Sequence, residues 1–116
     1  MGQLRNMKFE DYNLEPAILK NLFKLGFARP TDIQYKSIPS ILKGEDVLAI
    51  AQTGTGKTAA FAIPIIQKIH SYKMNARRKD GIKCLIMVPT HELAIQIAEV
   101  VNVMARHTLV HAISIF

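Results

Sequence analysis

The sequence has 116 residues, 49% of them hydrophobic, with 15 Lys and Arg against 9 Asp and Glu and a formal charge of +6, a balance that fits one globular unit with a core of useful size. The lone Cys84 excludes disulfide stapling, and the longest apolar runs, 47–51 and 84–89, fall far short of the roughly 20 residues that a membrane-crossing helix needs. The basic excess favours a polyanionic partner such as nucleic acid, although charge also serves solubility.

Leu14, Ile18, Leu22 and Leu25 recur at helical spacing behind Asn13 as N-cap, with Pro16 in the first turn and Gly26 placed to stop the helix. A second helix should start at Thr31, because Thr31-Asp32-Ile33-Gln34 matches a capping box. It should run through Ile38, Ile41 and Leu42 to Gly44, bent at Pro39. Residues 46–51 are short, almost wholly apolar and followed by a Gly-rich turn, the pattern of a buried parallel strand. A helix from Lys57 to about His70 follows, then a polar loop over 71–81, a second buried strand over 83–88, and a helix capped by Thr90 that carries Leu93, Ile97, Val100 and Met104. A third strand over 109–116 completes the order. Alternating buried strands and helices imply an α/β fold, a parallel sheet flanked by helices with right-handed crossovers, and no linker divides the chain.

Within the apolar run 84–88, Cys84 should be a buried, inert thiol in a reducing compartment. The first residues lack a secretory signal, and Asn6 stands where a myristoylation motif wants Ser or Thr, so the expected location is cytoplasmic. Three strands make a small sheet, and nothing follows the last of them to cover it, so the chain is expected to be a fragment of a larger domain.

Ala51-Gln52-Thr53-Gly54-Thr55-Gly56-Lys57-Thr58 follows an expected strand and opens an expected helix, the context of a P-loop. Gly54 and Gly56 free the backbone so that successive N–H groups, including those of Gln52, Thr53 and Thr55, can converge on a phosphate at a helix N-terminus. Lys57 would supply a point charge for the β- and γ-phosphates, and Thr58 a hydroxyl for Mg²⁺. The pattern departs from G-x-x-x-x-G-K-[ST] only at Ala51. A P-loop leaves the base and the reaction undecided.

Residues 26–34, Gly-Phe-Ala-Arg-Pro-Thr-Asp-Ile-Gln, resemble the Q motif of DEAD-box RNA helicases, 51–58 their motif I, and Pro89-Thr90-His91-Glu92-Leu93-Ala94 their motif Ia. Phe9 stands where that family places an isolated upstream aromatic. The resemblance runs from about Phe9 to the last residue. It implies a partial RecA-like P-loop NTPase domain: the N-terminal portion of the first RecA-like domain of an ATP-dependent RNA helicase, spanning 1–116, in which the missing strands lie between and beside those present.

The same resemblance implies that Gln34 selects ATP and ADP through the amide donor and acceptor that adenine's N6/N7 edge requires, beside its capping role. Phe27 would pack on the adenine face and Phe9 would buttress the segment. Pro89, Thr90 and His91 would face the RNA backbone. The usual third residue there is Arg; an imidazole is mostly neutral at pH 7 where a guanidinium is permanently charged, so backbone neutralisation should weaken. ATP and Mg²⁺ are the implied cofactors, and Lys57 and Thr58 the implied catalytic residues. The basic residues Lys73, Arg77, Arg78, Lys79 and Lys83 fit a solvated loop better than an RNA contact. His70, His107 and His111 show no metal-ligand spacing.

The Asp-Glu-Ala-Asp and Ser-Ala-Thr segments of that family do not occur in the chain, so hydrolysis by these residues alone is not expected. Two other readings compete. One is a P-loop NTPase of another class, which leaves the Q motif and motif Ia unexplained. The other is a non-catalytic nucleotide- or protein-binding module.

Overall fold

The computed structural model describes residues 7–50, 55–76 and 80–116. A short 3-10 turn, Phe9–Tyr12, precedes four helices: α1 (Pro16–Lys24), α2 (Asp32–Leu42), α3 (Thr55–Asn75) and α4 (His91–Met104). Helix α3 is the spine. At about 1.5 Å per residue its 21 residues span roughly 31 Å. Ala59, Ala62, Ile63 and Ile66 form its buried face, at the i, i+3, i+4, i+7 spacing that makes a stripe. Ile18 and Leu22 from α1, Ile38 from α2 and Val101 and Met104 from α4 complete one core, with Phe9, Tyr12 and Leu14 closing it from the N-terminal side.

Helices α1 and α2 end alike, and glycine is the reason. Gly26 at φ 83° donates to the Phe23 carbonyl at 3.0 Å while Phe27 donates to the Leu22 carbonyl at 2.9 Å. Gly44 at φ 84° and Glu45 repeat the pair with Ile41 and Ser40, both at 3.0 Å. These are Schellman closures, which need a left-handed residue after the helix. The first of them turns Phe27 back onto Phe9.

Long-range polar contacts tie the ends together. Asn21, 4% exposed, donates its Nδ2 hydrogens to the carbonyls of Met104 and Arg106, both at 2.8 Å, satisfying acceptors that α4 leaves open at its C-terminus. The buried His70 accepts from the Leu109 N–H through Nδ1 at 3.1 Å, so its proton sits on Nε2, which faces Glu15 Oε1 at 3.5 Å. Asn102 holds Ala112 by both backbone groups, at 2.7 and 2.9 Å, as a neighbouring strand would.

Several expectations need correction. The N-cap of α1 is Glu15; Asn13 takes a left-handed conformation (φ 61°) that closes the 3-10 turn instead. Helix α3 does not stop near His70 but runs through Asn75, because Gln67 Nε2 donates to Ser71 Oγ and Asn75 Nδ2 to the Ser71 carbonyl, so polar residues support the helix from its own surface. Leu25 and Leu93 lie outside the core, at 41% and 39% exposure. Cys84 is exposed rather than buried, although partial desolvation still pushes its thiol above the ordinary range.

The parallel sheet is the largest difference. No strand forms among the described residues, and 45–50, 82–88 and 109–116 run without secondary structure. Their apolar side chains stand open: Leu48 is 90% exposed, Leu85 75% and Ile113 74%. A buried parallel strand requires a hydrogen-bonded neighbour and cover on both faces, neither of which these three segments provide for one another.

Candidate functional site

Helix α2 begins as the capping box implies. Thr31 Oγ1 accepts from the Gln34 N–H at 3.4 Å, and Gln34 Oε1 accepts from the Thr31 N–H at 3.0 Å. The Gln34 side chain does more. Its Nε2 donates to the carbonyl of Gly56 at 3.0 Å, joining the start of α2 to the first turn of α3, and the residue is 2% exposed. An amide carries two hydrogens and two acceptor lone pairs, so one donor and one acceptor remain after these contacts.

Gly56 sits against that amide. A Cβ there would lie 3.6 Å from Gln34 Nε2 and 3.8 Å from Thr31 Cγ2, ordinary contact distances. Packing on this side therefore tolerates a side chain, and a requirement for glycine has to come from what approaches the other side of the backbone. Lys57 is exposed and Thr58 half-buried on the same first turn, so an ammonium and a hydroxyl are offered beside helix N–H groups that have no intrahelical partner. This donor set fits a nucleotide phosphate with its cation. Among the described residues no three His, Cys, Asp or Glu side chains are grouped to hold a metal ion, so Mg²⁺ at Thr58 would share its ligands with phosphate oxygens. Gln52, Thr53 and Gly54 lie outside the described residues, as does the side chain of Thr55.

Phe27 is half-buried and stacks on Phe9 at a centroid distance of 6.5 Å and 28°, while Phe9, 2% exposed, also meets Tyr12. Phe9 thus packs beside the ring that follows the Gly26 turn.

Pro89, Thr90 and His91 are exposed at the start of α4, where Thr90 Oγ1 accepts from the Leu93 N–H at 3.2 Å. His91 stacks on Phe116 at 4.3 Å and 16°. Thus Gln34, Gly56, Lys57 and Thr58 gather where α2 meets α3, whereas Pro89, Thr90 and His91 belong to a second place built by α4 and the last residues. Two contacts escaped sequence reasoning. The Gly56 carbonyl as second partner of Gln34 follows only from the packing of α2 on α3, and Phe116 beside His91 has no sequence signal.

Residues 31–115 match the family model described as DEAD/DEAH box helicase. The chain is 42% identical over 108 residues to the DEAD-box ATP-dependent RNA helicase RhpA of Helicobacter pylori, covering 93% of this chain and 20% of that protein. It is 47% identical over 103 residues to the ATP-dependent RNA helicase DHH1 of Scheffersomyces stipitis, covering 89% and 19%. The crystal structure of a DEAD box protein from Methanococcus jannaschii superposes with a TM-score of 0.72 at 42% identity, over 85% of this chain and 26% of that one. The chain therefore spans about a fifth of the length of these curated relatives.

Proposed function

Because this chain belongs to the DEAD/DEAH box helicase family, we propose that it is the ATP-binding segment of an ATP-dependent RNA helicase, the N-terminal portion of the first RecA-like domain. The observation that carries this reading is the Gln34 amide bridging Thr31 and Gly56, which joins the residue this reading assigns to adenine to the turn it assigns to phosphate.

The N–H groups of 52–56 and the N-terminus of α3 bind the nucleotide phosphates, and Lys57 Nζ neutralises the β- and γ-oxygens. Thr58 Oγ1 would help to hold Mg²⁺, which would supply positive charge against the nucleotide phosphates. The unused donor and acceptor of Gln34 match the N6/N7 edge of adenine, and Phe27, braced by Phe9, covers the base face. Pro89, Thr90 and His91 meet the RNA backbone in the longer protein, where hydrolysis and duplex remodelling also belong. A cytoplasmic site of action accords with the composition; no helix among the described residues is long and apolar enough to cross a membrane.

Equilibrium binding of fluorescent ATP, ADP and GTP tests the reading. ATP and ADP should compete and GTP should not, because guanine reverses the edge that Gln34 meets. Lys57→Ala should abolish binding. Equal competition by GTP, or undiminished binding by Lys57→Ala, refutes the assignment.

A further inference from the structure

Helix α4 starts with a histidine that has one ring face covered and both ring nitrogens open. His91 stacks on Phe116, with ring centroids 4.3 Å apart and planes 16° from parallel, yet it stays exposed. Among the described residues neither of its nitrogens has a hydrogen-bond partner.

Two anchors on the helices bring Phe116 there. His70 Nδ1 accepts from the Leu109 N–H at 3.1 Å while Lys73 Nζ donates to the Leu109 carbonyl at 3.0 Å, so α3 holds that residue by both backbone groups. Asn102 of α4 does the same for Ala112, at 2.7 and 2.9 Å. From Asn102 back to His91 the helix covers about 16 Å, and from Ala112 on to Phe116 the chain reaches at most about 14 Å, so the two rings arrive side by side. Side chains alternate along such a segment. Val110 and Ala112 pack against the core, Ile113 and Ile115 stand 74% and 76% exposed, and Phe116 falls in step with the first pair. The stack therefore belongs to the side of the segment that already lies on α4, not to its outer side.

An imidazole reaches a phosphate differently from a guanidinium. Even when neutral it offers an N–H, but a single directional one, where Arg offers five donors in a fixed fork. A free ring has to be ordered on binding, at a cost of about two- to tenfold in affinity for one immobilised side chain. Resting on the RNA-facing reading of Pro89, Thr90 and His91, we infer that Phe116 is a positioning residue of that face: its ring fixes the His91 imidazole so that the open N–H is presented to a backbone phosphate of the RNA.

NMR titration of the 116-residue chain with decauridylate, at RNA concentrations up to millimolar, tests this. Without RNA, the Phe116 ring should move the His91 ring-proton resonances upfield. Phe116→Leu should remove that shift while leaving helical circular dichroism intact, since Phe116 is 74% exposed. With RNA, His91→Ala and Phe116→Leu should each weaken binding about two- to tenfold. Phe116→Tyr should keep the parent affinity, and Phe116→Leu should cost nothing further once His91 is replaced. Full affinity in His91→Ala, or no binding by the parent chain, removes the RNA-facing reading and this proposal with it. His91 resonances indifferent to Phe116→Leu, a loss in His91→Ala but not in Phe116→Leu, an equal loss in Phe116→Tyr, or additive losses in the double variant overturn the positioning role alone.

Discussion

Replacing Gln34 by Ala removes two hydrogen bonds and a buried stem in one step. The bond from the Thr31 N–H to Oε1 (3.0 Å) and that from Nε2 to the Gly56 carbonyl (3.0 Å) are each worth about 1 kcal/mol net. Loss of a methylene from a residue 2% exposed adds about 0.8 kcal/mol, and the better helix propensity of Ala returns a few tenths. The expected destabilisation is therefore about 2–3 kcal/mol in urea unfolding followed by circular dichroism. Gln34→Glu separates the two bonds. The introduced carboxyl still accepts from Thr31, as a capping box allows, but above its titration range it sets an anionic oxygen against the Gly56 carbonyl. When protonated it can donate to that carbonyl. The protonated form thus keeps both bonds and the anion only the first. Gln34→Glu should thus lie between parent and Gln34→Ala at pH 7 and approach the parent at low pH. Stabilities within 0.5 kcal/mol for all three proteins, the ordinary scatter of surface changes, would refute the bridging role.

Tyr12→Phe should stabilise by up to about 1 kcal/mol, since the Tyr12 hydroxyl is buried with no partner among the described residues; a loss of stability in the same unfolding assay would reveal a hydrogen bond there. Burial first, then Tyr35 and Asp11, push its phenol above the ordinary 10.0, so the folded form resists ionisation, and the parent should lose stability relative to Tyr12→Phe as pH rises past about 10. Asn21→Ala should cost about 2–3 kcal/mol by leaving the Met104 and Arg106 carbonyls without their donor, read as a lower urea midpoint. Gly26→Ala, at φ 83° with nothing near its Cβ, should cost about 1 kcal/mol through backbone strain alone; an unchanged midpoint would show that the turn relaxes.

Local signals were the legible ones. Thr31 and Thr90 cap α2 and α4 where expected because a hydroxyl three residues ahead of an N–H is a short-range contact. Gly26 and Gly44 close their helices for the same kind of reason. Asn13 misled because its side chain suits both an N-cap and a left-handed turn, and Tyr12, buried beside Phe9, decides for the turn. The polar residues 71–75 carry no apolar period, yet α3 continues on bonds made by its own Ser71 and Asn75. For 82–88 and 109–116 the apolar pattern names a strand but cannot name the neighbour it pairs with, and pairing is what makes a strand. In the site, residue types and spacing singled out Gly56 and Lys57, and the family resemblance Gln34; the bond between Gln34 and Gly56 depends on how α2 lies on α3.

The Asn21 contact has a consequence in time. Its acceptors lie 83 and 85 residues further along the chain. At a synthesis rate of about 5–20 residues per second, α1 waits roughly 4–17 s on the ribosome before the carbonyls that satisfy Asn21 exist. Ile18 and Leu22 wait as long for Val101 and Met104, and so α1, a helix too short to hold itself, emerges with an open apolar face. The helix made earlier is completed only by the later one, and that interval is when its apolar stripe is most open to other chains.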